Sequence, residues 1–226
     1  MSDAIGEIVE VSTASFVAHC LRAAGDEQTG LIDPPALGSF VKITPPDYSA
    51  ALDSSGDEPD PFVSSRQADI YAIVSSACTA SVLQGRRPAA LGYADEAELR
   101  LHQPQIFELL TTEFSGIVVA YRTTSGAIQR HIPPVPPRIH RPVHICTEVE
   151  VVALTQNVSF LRTIINTANS PQGGCSPDAL VAACLRSAHS AHNGSNDFLV
   201  DAGRRLFDMM EGNYDRLQAI IDDVIG

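Results

Sequence analysis

Gly6-Glu7-Ile8-Val9-Glu10-Val11-Ser12 leads into Phe16-Val17-Ala18-His19, and further on come Phe40-Val41-Lys42-Ile43 and Asp69-Ile70-Tyr71-Ala72-Ile73-Val74. Short runs rich in Val, Ile and aromatic residues, bounded by Ser, Pro and Gly, read as short strands. Residues 5–11 and 15–22 are separated only by Ser12-Thr13-Ala14, which suits a hairpin. Pro34-Pro35 cannot sit inside a central strand because neither residue has an N–H to give, so the pair marks the approach to a strand over 39–44. The pattern resumes over 68–78 and again over 115–122. Ser125-Gly126 reads as a hairpin turn returning over 127–132, and the run over 143–152 reads as one more strand. Together these segments predict a small antiparallel β-barrel of about six strands.

Between them lie two segments of another kind. Residues 45–67 mix Asp47, Asp53, Asp57, Glu58 and Asp60 with Pro, Ser and Gly, without sustained periodicity. This is the composition of an inserted, solvated acidic loop, and the spacing of a calcium-binding loop is missing. Residues 94–112 read as two helices. Asp95 and Glu98 have capping-box spacing, Pro104 restarts the chain as a helix, and Ile106, Phe107, Leu109 and Leu110 form an apolar face.

The C-terminal part changes period. Val158, Leu161, Ile164, Ile165 and Ala168 share one helical face. Ser176-Pro177-Asp178 starts a helix with the stripe Leu180, Val181, Cys184, Leu185, Ala188. A third is lined by Phe198, Leu199, Ala202, Leu206, Met209 and Met210, and a fourth by Tyr214, Leu217, Ile220, Ile221, Val224 and Ile225. The expected organisation is a barrel domain over 1–153, mainly β with inserted α, followed by a small helical bundle over 154–226.

The quoted strands, with Arg87-Pro88-Ala89-Ala90-Leu91-Gly92-Tyr93 and Glu113-Phe114, resemble the HAS-barrel, the small barrel at the N-terminus of HerA-type DNA-translocating ATPases. Glu7, Leu37, Gly38, Tyr71, Pro104 and Leu109 match that family's phrasing. In such ATPases a phosphate-binding loop follows the barrel. Its G-x-x-x-x-G-K-[ST] pattern needs a lysine, and the only lysine here is Lys42, inside a strand. The resemblance thus implies the barrel without the motor. It further implies association, either between copies or with a larger ATPase or nuclease.

Bulk composition narrows the alternatives. A net charge of −12 opposes broad contact with phosphate backbones. Arginines do concentrate between residues 86 and 141, and Arg86, Arg87, Arg138 and Arg141 are the candidates for contact with single-stranded nucleic acid or a protein partner. Tyr93, Phe107 and Tyr121 could stack bases, although a chain without Trp needs aromatics for its core. For a metal-dependent hydrolase the candidates are His140, His144 and Cys146, in H-x-x-x-H-x-C spacing, with Cys175, Cys184, His189 and His192 as a second group. Neither spacing matches a common zinc site.

No G-x-S-x-G elbow occurs, and His19 and Cys20, as strand neighbours, face opposite sides. The reading is therefore a non-catalytic protein without a cofactor. Five scattered cysteines without C-x-x-C, and a start without a basic-then-apolar leader, lead us to expect reduced thiols and a cytoplasmic location, with no membrane association.

Overall fold

The computed structural model describes residues 4–21, 33–44, 68–83, 88–167, 175–210 and 212–225. The acidic segment 45–67 and both Arg86 and Arg87 lie outside the described residues.

Seven strands form one antiparallel sheet: β1 (Gly6–Val11), β2 (Ser15–Cys20), β3 (Phe40–Ile43), β4 (Ile70–Ser81), β5 (Leu110–Arg122), β6 (Ile128–Gln129) and β7 (Pro142–Ile145). Their order is β2-β1-β7-β3-β4-β5-β6, and β2 also pairs with β5. That last pairing, from Ser15 opposite Ile117 to His19 opposite Glu113, closes six strands into a barrel and leaves β6 as a short flap on β5. Closure removes the free edges that an open sheet would present.

Period-two alternation decides what lies inside. Ile8, Phe16, Ala18, Val41, Ile43, Ile70, Ala72, Val74, Phe114, Val118 and Val143 fill the barrel. Phe16 meets Phe114 edge to face, with ring centroids 6.2 Å apart. On β3, β4 and β5 the outward residues are buried too: Phe40, Tyr71, Ile73, Ile117 and Val119 belong to a second core shared with the helices. Hence Ile70–Val74 is buried without a break, while β1 and β2 alternate between buried and partly exposed residues. Strands covered on both faces read as continuous apolar runs.

Helices α1 (Glu96–His102) and α2 (Gln105–Glu108) bridge β4 and β5. Asp95 caps α1 by accepting from the Glu98 N–H at 2.8 Å. Helix α2 is shorter than its apolar pattern suggests. Leu110 already belongs to β5, because Thr111, Thr112 and Phe114 favour the pleated strand once the Pro104 turn is spent. The β6 strand is likewise only two residues long.

The larger correction concerns residues 143–152. The strand ends at Ile145, and α3 (Glu148–Thr155) begins after Thr147. Thr147 and Glu150 form a reciprocal capping box, which starts the helix in spite of Val149, Val151 and Val152. A 3-10 turn (Val158–Phe160) and α4 (Leu161–Thr167) follow. Then come α5 (Pro177–Ala191), α6 (Asn196–Met209) and α7 (Tyr214–Ile225).

The α5 stripe Leu180, Val181, Cys184, Leu185 and Ala188 is buried at the centre of the shared core. Asp178 in its first turn is gripped by Arg216 of α7, with Nη2 2.6 Å from Oδ1. The close approach of α5 to the barrel runs through Gly38 (φ +77°), where an added Cβ would lie 2.4 Å from the Ala183 carbonyl carbon.

The half-buried Arg130 fastens α3 to the end of the β5–β6 flap. Its Nε and Nη2 donate to the Leu154 and Ala153 carbonyls, both at 2.7 Å. These are orphan acceptors at a helix C-terminus, where the dipole also favours a cation. Arg130→Met is expected to cost about 1–2 kcal/mol in urea unfolding, with Arg130→Lys recovering only part of it. Equal stability of all three proteins would remove this role.

Candidate functional site

β3 stops opposite Ile73, and its approach makes the last strand contacts along that side of β4: Gly38 N donates to Val74 O, and Val74 N to Ser39 O, while the next carbonyl, of Ser75, accepts from the Cys175 thiol at 3.9 Å. β4 runs on to Ser81, still paired with β5 down to Leu110. Along residues 76–81 β4 is therefore paired on one side only, and past the end of the β2–β5 pairing at Glu113, residues 79–81 and 110–112 project as a two-stranded arm. Ala77, Cys78, Thr79 and Ala80 are exposed. At the tip, Val82 is 58% exposed, with Leu83 and Leu109 beside it. Leu101 on α1 is 78% exposed, and Leu91 in the connecting segment is also exposed. Arg100 of α1 lies over the buried Phe107 ring at 4.8 Å and pairs with Glu96, which holds α1 against α2. Large apolar side chains exposed along the arm tip and the segment that links its strands are what contact surfaces present.

The outer face at the base of the arm carries a row that the strands alone do not reveal. Register places His19, Glu113 and Cys78 side by side across β2, β5 and β4. His19 Nε2 and Glu113 Oε1 are 2.9 Å apart. The order defeats nucleophilic catalysis, because the carboxylate stands between the imidazole and the thiol. Two strand spacings, about 10 Å, separate Cys78 from His19, too far for proton transfer.

The other thiols are no more reactive. Burial pushes Cys146 and Cys184 well above the ordinary thiol range, and it pushes Cys20 up to about 11. A protonated thiol is a poor nucleophile. All five cysteines are free.

The three metal candidates on β7 and its approach do not converge. His140 adopts φ 64° and turns to Glu7, with Nδ1 2.7 Å from Oε1, so one candidate ligand is tied to one of the family-phrased residues. His144 lies opposite Lys42 in the β7–β3 register. Cys146, beyond the strand end, is buried in the core shared with the helices. In the second group Cys184 is wholly buried, and His192 is held by the Thr155 hydroxyl at 2.8 Å while stacking on Phe198. Among the described residues, no three His, Cys, Asp or Glu side chains are grouped to hold a metal ion.

The arginines of the middle segment are largely committed to structure. Arg122 donates to the Tyr71 hydroxyl and lies 3.7 Å from Asp69, and Arg130 caps α3. Arg138 is exposed on the connector before β7, and the Arg141 carbonyl accepts from Ile8 N. Phe107 and Tyr121 are buried, so neither ring is presented to a base. Tyr93 stacks on His102, and its hydroxyl accepts from Gln103.

The family-phrased residues divide in the same way. Tyr71 is wholly buried and Pro104 opens α2, whereas Leu37 and Leu109 are exposed.

Under α3 a partly buried ion pair joins a strand to a helix. Lys42 Nζ, pointing out of the barrel, meets Glu150 Oε1 at 2.6 Å, and Thr147 N donates to Glu150 Oε2 at 2.8 Å. The Tyr71 hydroxyl lies near this pair, and burial pushes its pKa far above the usual phenol range against the pull of Arg122. The sequence marks Lys42 only as an isolated lysine. Its partner lies on a helix that the β-branched run around it conceals.

Compared with known proteins, the chain matches no family model and no curated protein. No helix among the described residues is long and apolar enough to cross a membrane.

Proposed function

We propose that this chain is a non-catalytic assembly or adaptor barrel, of the HAS-barrel kind, that works by self-association or by docking to a larger ATPase or nuclease machine. The observation that carries the reading is the projecting β4–β5 arm, with Val82, Leu83 and Leu109 exposed at its tip and Leu91 and Leu101 exposed in the segment that links its strands. Charged side chains elsewhere hold helices to the barrel, as at Lys42–Glu150 and Arg130, or to one another, as at Asp178–Arg216. The ATPase or nuclease partner class comes from the resemblance of the N-terminal strands to HerA-type barrels.

The test is absolute mass by light scattering across a dilution series, together with an ATPase assay and capture of a partner from cell extract. The expected result is a defined oligomer or complex and no ATP turnover. A strictly monomeric chain that captures nothing sinks the proposal, as does measurable ATP hydrolysis lost on Lys42→Met.

A further inference from the structure

We infer that the free edge of β4 over residues 76–81 is a self-pairing surface, on which a second copy of this chain lays the same strand antiparallel about a two-fold axis at Cys78. This deepens the association reading and rests on it.

The hydrogen-bond alternation of residues 76–81 defines what the edge offers. Val82 N donates to Leu109 O at 2.8 Å, and the unbroken register from Ser76–Ser115 to Ser81–Leu110 fixes the rest. Ser76, Cys78 and Ala80 direct their main-chain groups to β5. Ala77, Thr79 and Ser81 direct theirs the other way. On the far side of β5 the same alternation holds, since Val118 N donates to Ala14 O in the β2 hairpin. Past Val74, no strand among the described residues pairs with that side of β4.

Edges of this kind are normally protected by charge, proline, a bulge or a cover. This one has none of the first three. Ser76-Ala77-Cys78-Thr79-Ala80-Ser81 is uncharged and free of proline, and the irregularities of β4 end just before it, at Tyr71/Ala72 and at Ser75, which the register skips between Val74 and Ser76. Nor is it covered, since residues 77–80 are exposed.

The edge fits itself better than it fits a foreign strand. Read backwards, the segment has almost the same order of small side chains. A two-fold at Cys78 sets Ala77 against Thr79 of the other copy and Ser76 against Ala80, with no bulky or charged mismatch. Ala77 and Thr79 both face outward, so each such pair exchanges two main-chain hydrogen bonds. A foreign strand would find no charge on this edge to select it. Among the described strand residues, the charge beside this edge in register is Glu113, one strand in. The two Glu113 carboxylates would stand three strand spacings apart, about 14 Å, beyond the screening length of about 8 Å at physiological salt. The chain's overall charge of −12 therefore does not act at close range on this contact.

Geometry supplies a sharp reporter. Cys78 directs its main chain to β5, so Cys78 facing Cys78 is a non-hydrogen-bonded pair, with Cα atoms about 4.5 Å apart. That falls within disulfide reach. Diamide, which accepts the two thiol hydrogens as the sulfurs join, should convert most of the full-length protein to a covalent dimer on a non-reducing gel. Cys78→Ser should abolish the dimer, and Cys20→Ser should not. Thr79→Pro removes an outward N–H together with the Thr79 hydroxyl's 3.0 Å bond to the buried Thr112, so Thr79→Val, which loses only the hydroxyl, is its control: Thr79→Pro should keep the wild-type circular dichroism while dimer mass and crosslinking fall to background, and Thr79→Val should keep both.

A dimer that persists in Thr79→Pro and never crosslinks through Cys78 overturns the edge assignment, although association itself would stand. A chain that stays monomeric up to about 100 times the concentration needed for its mass measurement overturns the second copy as occupant. Protection of Cys78 from alkylation in cell extract, without homodimer, assigns the edge to a foreign strand and also overturns it.

Discussion

Gly38→Ala is expected to lower unfolding stability by about 3–5 kcal/mol, enough to leave a marginal domain largely unfolded. Two costs fall on one atom. The residue sits at φ +77°, where a side chain costs about 1–2 kcal/mol. The added Cβ would also stand 2.4 Å from the carbonyl carbon of Ala183 and 2.5 Å from the nitrogen of Cys184. Both are backbone atoms of α5, so no rotamer change relieves the clash. The helix must back away from the barrel, opening the packing around Cys184 and Leu185. Gly126→Ala separates the two costs. Gly126 also has positive φ, +89°, but an added Cβ meets nothing within 4 Å. Its variant should lose only about 1–2 kcal/mol. Urea unfolding of both proteins checks this, and equal losses would show that the Gly38 contact carries no weight.

Gly38 also marks how far the sequence could be read. The need for a glycine before the strand at Phe40 is visible in Pro34-Pro35-Ala36-Leu37-Gly38, but the helix that presses on it lies some 145 residues later. Strand positions were legible because β1 and β2 have one wet face and alternate, and because Ile70–Val74 and Ile117–Tyr121 are continuous apolar runs. The helical stripes of α5 and α6 were legible for a related reason, since Leu180, Cys184 and Ala188, or Ala202 and Leu206, recur at helical spacing and are buried.

Local signals misled where two competed. In Thr147-Glu148-Val149-Glu150-Val151-Val152 the valines argue for strand and the Thr-x-x-Glu box for helix, and the box prevails because α3 has a core to pack on. Around Leu109-Leu110-Thr111-Thr112 the apolar helical face yields to pairing with β4. The arm itself was not legible. Its free edge depends on β3 being four residues long while β4 has twelve, a mismatch that only pairing reveals. The His19–Glu113–Cys78 row is a product of register in the same way.

Register also creates the Lys42–Glu150 pair, and removing one member should show what it contributes. Lys42 is 22% exposed and Glu150 14%, so neither charge is well hydrated. Lys42→Met would leave the Glu150 carboxylate under α3 with only its Thr147 bonds, at an expected cost of about 2–3 kcal/mol. Lys42→Met/Glu150→Gln should recover all but about 1 kcal/mol, because glutamine can still close the capping box and no charge is stranded.

Acid should distinguish this pair from an ordinary packing contact. Burial alone would raise the Glu150 pKa, but the hydrogen bond from Lys42 and those from Thr147 outweigh it and hold the carboxyl below its usual value of 4.5. A folded pKa below the unfolded one means that the unfolded chain binds the extra proton. The pair's contribution is therefore full above about pH 4.5 and fades as pH falls through the folded value. In Lys42→Met the burial cost is no longer offset by the ammonium, so protonation of Glu150 relieves the variant while it weakens the wild type. The stability gap between the two should be widest near neutrality and should narrow in acid. Urea unfolding from pH 7 down to pH 3 measures it, and a gap that stays constant over that range would mean that Lys42 acts through its hydrocarbon stem and not through its charge.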